Sequence, residues 1–521
     1  MKKNSFLKNV FVLLVSQILI KVIGIVYKLY LINKTGYGDT GNALFSAAFQ
    51  VYAVFLTICS IGIPNAISTL VSTKFAIGDN NGAYRVLKIS LAIFGTMGFI
   101  GSFFLYSFSK IIAKVYLEMP ETELVLKVLA PSVFLVAISA VLKGYFNGKG
   151  KMDITAKSLS IEQLAKTVIT IILVEVLSNI SNKNTVIMVC GVGLTTSIGS
   201  IINCFYLYKN YLKNKREIWT DIITSKIYKK ESRISIIKNI FKVAFPITIC
   251  GLIASLNKTI DAFTIVKIAK QYLGEAEAVK QYGILTGKVE SLIVMPFSIN
   301  IAIVTTLIPT IAGYRAKGEL EKAKKIIKFA ILIGILISIP CFLVLYMFPE
   351  QILQVLFPNA SSGWQMLKLS SFSIIFAITI QTINSYLQGM NKMKIQIIAV
   401  GLSSCIKLAL NIILISNENI GIYGAIISNI ITYIITIGIL MWYLIYKEKI
   451  KFDLYKMLIK PIMLLACMYI IMKEIYKKGF INSQIIKLML SIGVGGIVYA
   501  LVIFLFKMVT KKEIQLIIEK K

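Results

Sequence analysis

The chain has 521 residues, of which 57% are hydrophobic and 16% charged, and its mean hydropathy is +0.78. No soluble domain of this length could bury so much apolar surface, so the composition excludes a soluble globular protein. A formal net charge of +33 would suggest nucleic-acid binding in a soluble protein. Here the basic residues lie in loops between apolar runs, so no nucleic-acid partner is expected.

Apolar runs of about 20 residues, the length that crosses hydrocarbon as a helix, recur along the whole chain. They predict an all-α polytopic membrane protein with about 14 transmembrane helices. The first run continues without a small-residue cleavage site, so it is expected to be kept as a helix. The runs cover residues 10–32, 43–70, 87–109, 124–147, 158–178, 185–208, 243–266, 283–312, 326–348, 366–389, 395–416, 421–446, 457–472 and 485–506.

Basic residues concentrate on alternate loops. They include Lys74, Arg85 and Lys88; Lys143, Lys149, Lys151 and Lys157; the stretches 209–242, 315–328 and 447–460; and the C-terminus. By the positive-inside rule both termini are expected in the cytoplasm of a bacterium, whose cytoplasmic membrane the chain crosses many times. Three lysines between the last two runs depart from this pattern: Lys473, Lys477 and Lys478.

Two passages 241 residues apart indicate a duplication: residues 145–152 read YFNGKGKM, and residues 386–393 read YLQGMNKM. Lys166 and Lys407, in the apolar runs that follow, keep the same spacing. A second match pairs Ile63-Pro64 with Ile308-Pro309. This offset covers six helices, an even number, so the halves form a parallel repeat, and in transporters the site lies between such halves.

The repeat predicts four regions. Residues 1–208 form an N-lobe of helices one to six, and residues 209–242 a basic cytoplasmic linker. Residues 243–446 form a C-lobe of helices seven to twelve, and residues 447–521 hold helices thirteen and fourteen and a cytoplasmic tail.

Charged side chains inside the apolar runs are the main functional signal, because an ionised group near the bilayer centre costs about 3 kcal/mol. Seven residues separate Lys21 and Lys28 on the first helix, so both lie on one face. The other candidates are Lys258 and Asp261 on the seventh helix and Lys288 and Glu290 on the eighth. Four lysines against two acids leave a formal charge of +2, which suits an anionic substrate.

Structural alternatives exist for several of these charged groups. Lys258 with Asp261 is also consistent with an ion pair that only holds a helix, and Lys28 with a side chain that snorkels to the headgroups. Glu162 and Lys166 form an i,i+4 pair that either ties helices within a lobe or acts as a gate. Lys407 repeats Lys166 without the acid.

The sequence gives no sign of a catalytic or metal site. Histidine is absent, and the seven cysteines lie in apolar runs without CxxC spacing, which favours packing over redox chemistry. We therefore expect no cofactor, no metal and no enzymatic activity.

The first helix reads Leu19-Ile20-Lys21-Val22-Ile23-Gly24, then Tyr27-Lys28. Together with residues 259–263, 282–287, 295–296 and 307–309, it resembles the stage V sporulation protein B-like and lipid II flippase families. These belong to the multidrug/oligosaccharidyl-lipid/polysaccharide (MOP) exporter superfamily. The resemblance implies that Lys21, Lys28 and Asp261 line a cavity for the sugar-diphosphate headgroup of an undecaprenyl-linked precursor. Lysine stands where the family usually has arginine, which keeps the charge but not the bidentate geometry.

The expected function is that of a flippase that moves an undecaprenyl-diphosphate-linked cell-wall precursor, with lipid II preferred, to the outer leaflet by alternating access. The alternatives are a flippase for a teichoic or capsular glycan, a drug or cation antiporter of the superfamily, a lipid-modifying transferase, and a structural divisome or spore-coat protein. Expected partners are the lipid-linked glycan, membrane lipids and the cell-wall synthesis machinery, with the protein working as a monomer. The sequence leaves the coupling ion and a general or sporulation-specific role open.

Overall fold

A computed structural model describes residues 23–60, 62–223, 231–453, 455–478, 483–506 and 508. These residues form helices and turns, without a strand. Their contacts group the chain into two units, Met1–Gly283 and Ile284–Lys521. The all-α polytopic fold expected from the sequence is confirmed.

The described helices of the first unit run from α1 to α10. They are α1 (Ile23–Asn33), α2 (Gly38–Ser60), α3 (Gly62–Ile77), α4 (Asn80–Ile111), α5 (Thr122–Gly148), α6 (Met152–Ile180), α7 (Thr185–Lys213), α8 (Lys215–Ile223), α9 (Arg233–Leu273) and α10 (Glu275–Ile284). A π-helical turn, Ile112–Tyr116, extends α4.

The second unit begins at Ile284, the last residue of α10, and continues with a π-helical turn, Leu285–Val289, that leads into α11. Its helices are α11 (Glu290–Ala316), α12 (Leu320–Met347), α13 (Pro349–Leu356), α14 (Trp364–Ser370), α15 (Ser373–Gly389), α16 (Met393–Ile415), α17 (Tyr423–Trp442), α18 (Lys460–Lys478) and α19 (Gln484–Leu505). Further π-helical turns extend α17 (Tyr443–Lys447) and precede α18 (Tyr455–Ile459).

Eleven stretches in the described ranges are long and apolar enough to cross a membrane. The remaining runs of the prediction correspond to α1, α6 and α18. The described part of α1 is short, and α6 carries five ionisable residues along its length: Asp153, Lys157, Glu162, Lys166 and Glu175. Large apolar side chains on the outer surface, among them Phe99, Phe103 and Ile180, suit contact with lipid.

The predicted runs differ from the helices mainly at their ends. The run 243–266 lies within α9, which starts ten residues earlier at Arg233, and part of the predicted linker 209–242 is helical, as α8. High hydropathy marks only the part of a helix that lies in hydrocarbon, whereas the helix itself continues into the polar region. The run 366–389 is two helices, α14 and α15, separated by a turn.

One helix occupies the centre of each unit. In the first, α5 packs against α2, α3, α4 and α7, and in the second, α15 packs against α11, α12 and α17. These are the fourth and tenth predicted membrane helices, one repeat apart. In addition, α9 packs on α2 and α3, so the seventh membrane helix belongs to the first unit by its contacts. The predicted N-lobe and C-lobe follow the internal duplication rather than these contacts, and that division stays a prediction.

The duplicated octapeptides adopt the same turn. The N–H of Lys149 donates to Tyr145 O at 2.9 Å, and the N–H of Met390 donates to Tyr386 O at 2.8 Å. The left-handed position of each turn falls on the equivalent residue, which is Gly150 in one copy and Asn391 in the other.

The glycine that ends each central helix also packs in the same way. A Cβ on Gly148 would lie 2.7 Å from Val71 Cβ, and one on Gly389 would lie 2.8 Å from Ile311 Cβ. Only glycine allows two helices to approach this closely.

An ion pair closes each repeat near this turn. Lys151 binds Glu217 just after α7, and Lys392, the equivalent lysine, binds Glu448 just after the extension of α17. Hydrogen bonds from Lys151 and then Lys149 outweigh the effect of partial burial and lower the pKa of Glu217. We call these two pairs the repeat clasps.

Candidate functional site

The first helix is fixed to α6 along one face. The Tyr30 hydroxyl donates to Glu175 Oε1 at 2.6 Å, and the Lys34 ammonium pairs with the other oxygen of the same carboxylate. One turn earlier, Tyr27 is buried, and its ring lies 5.8 Å from the Lys166 ammonium of α6. These contacts determine the rotation of α1 about its own axis.

That rotation decides where Lys28 lies. At 3.6 residues per turn, Tyr27 and Tyr30 lie about 60° apart on α1, and Lys28 is about 100° from Tyr27 and about 160° from Tyr30. Lys28 is half-buried. It lies about 40° around the helix from Gly24, whose added Cβ would be 3.8 Å from Gln163 Nε2 of α6, so Lys28 borders the face that contacts α6. Lys21 lies outside the described residues, so its part in the site stays a prediction.

The second candidate helix, α9, is fixed to α2 by side-chain hydrogen bonds. The hydroxyls of Ser255 and Thr57 are 2.7 Å apart, and Thr259 Oγ1 lies 3.5 Å from Gln50 O. Near the other end of α9, Lys267 and Lys270 both pair with Glu118. Burial alone would raise the pKa of Glu118, but the two lysines outweigh it and lower that pKa.

Lys258 and Asp261 lie beside this packing face. Lys258 is exposed, whereas Asp261 is only 5% exposed, and about 60° of helix rotation separates them. Ala262, which is fully buried, shares the packing face with Ser255 and Thr259. A long basic side chain at position 262 would therefore need a different packing of α9.

The first unit thus contains Lys28, Lys258 and Asp261, on two helices whose rotation side-chain contacts fix. Lys288 and Glu290 belong to the second unit. Lys288 is fully buried in the π-helical turn before α11, and its ammonium donates to Ala360 O at 2.6 Å and to Ser362 Oγ at 3.2 Å. Glu290 is half-buried at the start of α11. Lys288 therefore holds the segment before α14, and its role in substrate binding stays a prediction.

Glu162 joins three helices inside the first unit. Its carboxylate accepts a hydrogen bond from the Asn203 amide of α7 and lies 3.9 Å from the Lys143 ammonium of α5. The sequence placed Lys143 among the loop lysines, and this was wrong. Lys143 lies within α5, five residues before its end, with a side chain only 16% exposed.

Lys166, one turn after Glu162, lies among aromatic rings. Its ammonium is 5.8–5.9 Å from the ring centroids of Tyr27, Phe45 and Phe49, within the range of a cation–π interaction. All these contacts lie inside the first unit, which favours the lobe-tie interpretation. The gate interpretation stays a prediction. The equivalent Lys407 is buried in α16.

Among the described residues, no group of three or more histidine, cysteine, aspartate or glutamate side chains could hold a metal ion. The seven cysteines are free thiols within helices. The expectation of no cofactor remains an expectation.

The comparisons with known proteins identify the family. A family model described as "Polysaccharide biosynthesis protein" matches residues 6–315, more than half of the chain. The chain belongs to this family. A second model, MatE, matches residues 240–413.

Two relatives of this polysaccharide biosynthesis family member come from Bacillus subtilis (strain 168). Stage V sporulation protein B is 23% identical over 99% of this chain and 98% of the relative. The lipid II flippase MurJ is 26% identical over 95% and 94%, respectively.

Solved structures share the fold. A lipid II flippase MurJ in an inward closed conformation superposes with a TM-score of 0.68 at 18% identity, covering 95% of this chain and 99% of that one. An inward-facing multidrug resistance MATE family transporter of the MOP superfamily gives a TM-score of 0.68 at 14% identity, covering 82% and 97%. This polysaccharide biosynthesis family member therefore has the fold of MOP-superfamily transporters. Such relatives are flippases and transporters, not enzymes.

Proposed function

We propose that the chain is a flippase that moves an undecaprenyl-diphosphate-linked cell-wall precursor, with lipid II as the preferred cargo. Transfer runs from the inner to the outer leaflet by alternating access. The observation that carries this proposal is the placement of Lys28, Lys258 and Asp261 on α1 and α9. Both helices have their rotation fixed within one unit by contacts that involve none of these three charges.

The charge of this group suits a diphosphate. Counted with Lys21, the candidate residues are three lysines and one aspartate, a formal charge of +2 that does not depend on Lys288 and Glu290. Attraction between charges is many times stronger near a protein interior than in water, so a few lysines suffice to hold a diphosphate. Lysine acts as a point charge, and it tolerates several orientations of the headgroup.

The residues have distinct roles in this mechanism. Lys28 and Lys258, together with Lys21, neutralise the diphosphate. Asp261 serves as the counter-ion of these lysines when the cargo is absent, which gives the loaded and empty states different internal contacts. The return step uses an inward cation gradient or the membrane potential.

Membership of the polysaccharide biosynthesis protein family supports a lipid-linked glycan as cargo, and similarity to a lipid II flippase along almost the whole chain favours lipid II within that class. We place the protein in the bacterial cytoplasmic membrane with both termini in the cytoplasm. It works as a monomer, because one chain supplies every residue of the site, and it delivers its cargo to the cell-wall synthesis machinery.

The test is lipid II exposure at the outer face of cells whose resident flippase is switched off. Wild-type protein and the variants Lys28→Gln, Lys258→Gln and Asp261→Asn are compared at equal membrane abundance. Lys267→Gln serves as a matched control, because it removes a lysine of α9 that pairs with Glu118 outside the proposed site. We expect wild type and control to restore lipid II exposure at the outer face. In each of the three site variants we expect that exposure to be at least tenfold lower than in wild type.

Lys28→Arg separates charge from geometry. It keeps the charge and is expected to retain transport, whereas Lys28→Gln is not. If wild-type protein inserts and folds but exposes no lipid II, the cargo assignment fails, and outward transport of another undecaprenyl-linked glycan is measured with the same variants. Equal losses in the control and the site variants would contradict the assignment of the site.

A further inference from the structure

A cavity of about 350 Å³ opens within the second unit, between the first turns of α12 and the segment that leads into α18. This size is in the range of sites that bind small molecules. All of its lining residues belong to the second unit, and none is among the residues assigned to transport. We call it the α12–α18 cavity.

Three lysines from two separate segments line this cavity: Lys325 and Lys328 of α12, and Lys456 before α18. Lys325 is exposed, and the other two are half-buried. The cavity also contains one carboxylate, Asp453, whose Oδ1 accepts the backbone N–H of Lys456 at 3.1 Å. Asp453 thus caps the turn, and the lining residues retain a formal charge of +2.

The depth of the cavity follows from the length of α12. This helix has 28 residues and is therefore roughly 42 Å long, about 12 Å more than the hydrocarbon thickness. Lys325 and Lys328 are the sixth and ninth residues of α12. They fall where the helix passes from the headgroup layer into hydrocarbon.

The inner wall of the cavity is apolar. Phe329, Leu332 and Met457 line it and are nearly completely buried, with exposures of 6%, 2% and 7%. The cavity therefore changes from cationic at its rim to apolar at its base. That gradient is the polarity of a phospholipid, whose charged headgroup continues directly into acyl chains.

We infer that the α12–α18 cavity binds the phosphodiester headgroup of an anionic membrane phospholipid, with the first acyl methylenes on the apolar base. The phosphate accepts from Lys325, Lys328 and Lys456 and connects α12 to the start of α18. Basic pockets between membrane helices bind anionic lipid headgroups in this way. The inference does not depend on the cargo of the proposed flippase.

Native mass spectrometry of the purified full-length protein tests the inference. Protein is titrated with phosphatidylglycerol, with phosphatidylcholine, and with inorganic phosphate as a competitor. The test variant carries Lys325→Gln, Lys328→Gln and Lys456→Gln. The matched control carries Lys317→Gln, Lys322→Gln and Lys324→Gln, which remove three neighbouring lysines outside the cavity lining. Melting temperatures of both variants establish that they are folded.

We expect wild type and control to retain phosphatidylglycerol in preference to phosphatidylcholine. Each lysine near a membrane surface raises the affinity for an anionic lipid about fivefold, so the affinity of the test variant for phosphatidylglycerol is expected to fall more than tenfold. Equal losses in both variants would overturn the inference, because they would reflect general surface charge. Equal binding of both lipids, or full displacement by millimolar inorganic phosphate, would also overturn it.

Discussion

The contact between Glu162 and Lys143 makes a quantitative prediction, because the second repeat lacks both residues. At the same 241-residue offset, Ser403 stands for Glu162 and Asn384 for Lys143. The acid and its basic partner are thus absent together. We expect Glu162→Ser alone to destabilise the first unit, and the double change Glu162→Ser with Lys143→Asn to restore most of the loss.

The magnitude follows from the geometry. At 3.9 Å and an effective dielectric constant of about 20, the ammonium and carboxylate attract each other by about 4 kcal/mol. Both side chains retain some exposure, at 16% and 25%, so water offsets part of this energy. We expect a loss of about 2–3 kcal/mol for Glu162→Ser, because it leaves Lys143 as an uncompensated, largely buried charge. The double variant should lie within about 1 kcal/mol of wild type.

Thermal unfolding with a thiol-reactive dye measures this effect in a Cys405→Ser background. Cys405 is exposed, whereas Cys59 is buried and the other five cysteines are half-buried until the protein unfolds. Glu123→Ser is the matched control. It breaks the partly exposed i,i+4 pair with Lys127 at 2.7 Å on α5 and should therefore lower the melting temperature far less than Glu162→Ser. A double variant that melts below Glu162→Ser, or a single variant that melts with wild type, would refute the reasoning.

Three further predictions concern other contacts. Gly283→Ala should lower the melting temperature strongly, because its Cβ would lie 1.9 Å from Asp39 O. Gly401→Ala, with no neighbour within 4 Å, should leave it unchanged or raise it slightly, because alanine favours a helix over glycine. Lys288→Met should speed proteolysis within residues 357–363 while the rest of the second unit stays resistant, because the ammonium loses Ala360 and Ser362; unchanged cleavage would contradict the anchoring role. The lowered pKa of Glu217 means that its clasp stabilises the protein above the unfolded value of about 4.3 and is lost as pH falls through the folded value. With Trp364 and Trp442 replaced by phenylalanine, Trp219 fluorescence should report this acid transition when Glu217 is present and not in Glu217→Gln.

The amino-acid sequence predicts the membrane helices well because hydropathy responds directly to the hydrocarbon layer. It fails where helices leave that layer, as at the start of α9. Lys143 was assigned to a loop because it lies near the end of an apolar run, where a lysine looks like the start of a polar segment. Its ion-pair partner, Glu162, lies on α6, and sequence alone does not place these two residues together.

The candidate site likewise has a part that the sequence reveals and a part that it does not. Lys28, Lys258 and Asp261 are recognisable in the sequence, because a charge within an apolar run stands out. The contacts that fix the helices and segments around the candidate residues are not recognisable in the sequence, because they join distant positions. Lys34 and Glu175 are 141 positions apart, and Lys288 and Ala360 are 72 apart. Such contacts depend on tertiary packing. Polar residues such as Ser255 and Thr57 are individually ordinary, and only the packing of α9 on α2 gives them a role.

The repeat clasps have a consequence for biosynthesis. The first clasp needs no residue after Glu217 in the chain, and the second needs none after Glu448. A ribosome that has made the first eight helices has therefore already supplied both partners of the first clasp, before any of the second unit exists. Each half of the duplicated chain carries its own closing contact, so membrane insertion can proceed in two stages, and α18 and α19 join a unit whose clasp is already complete.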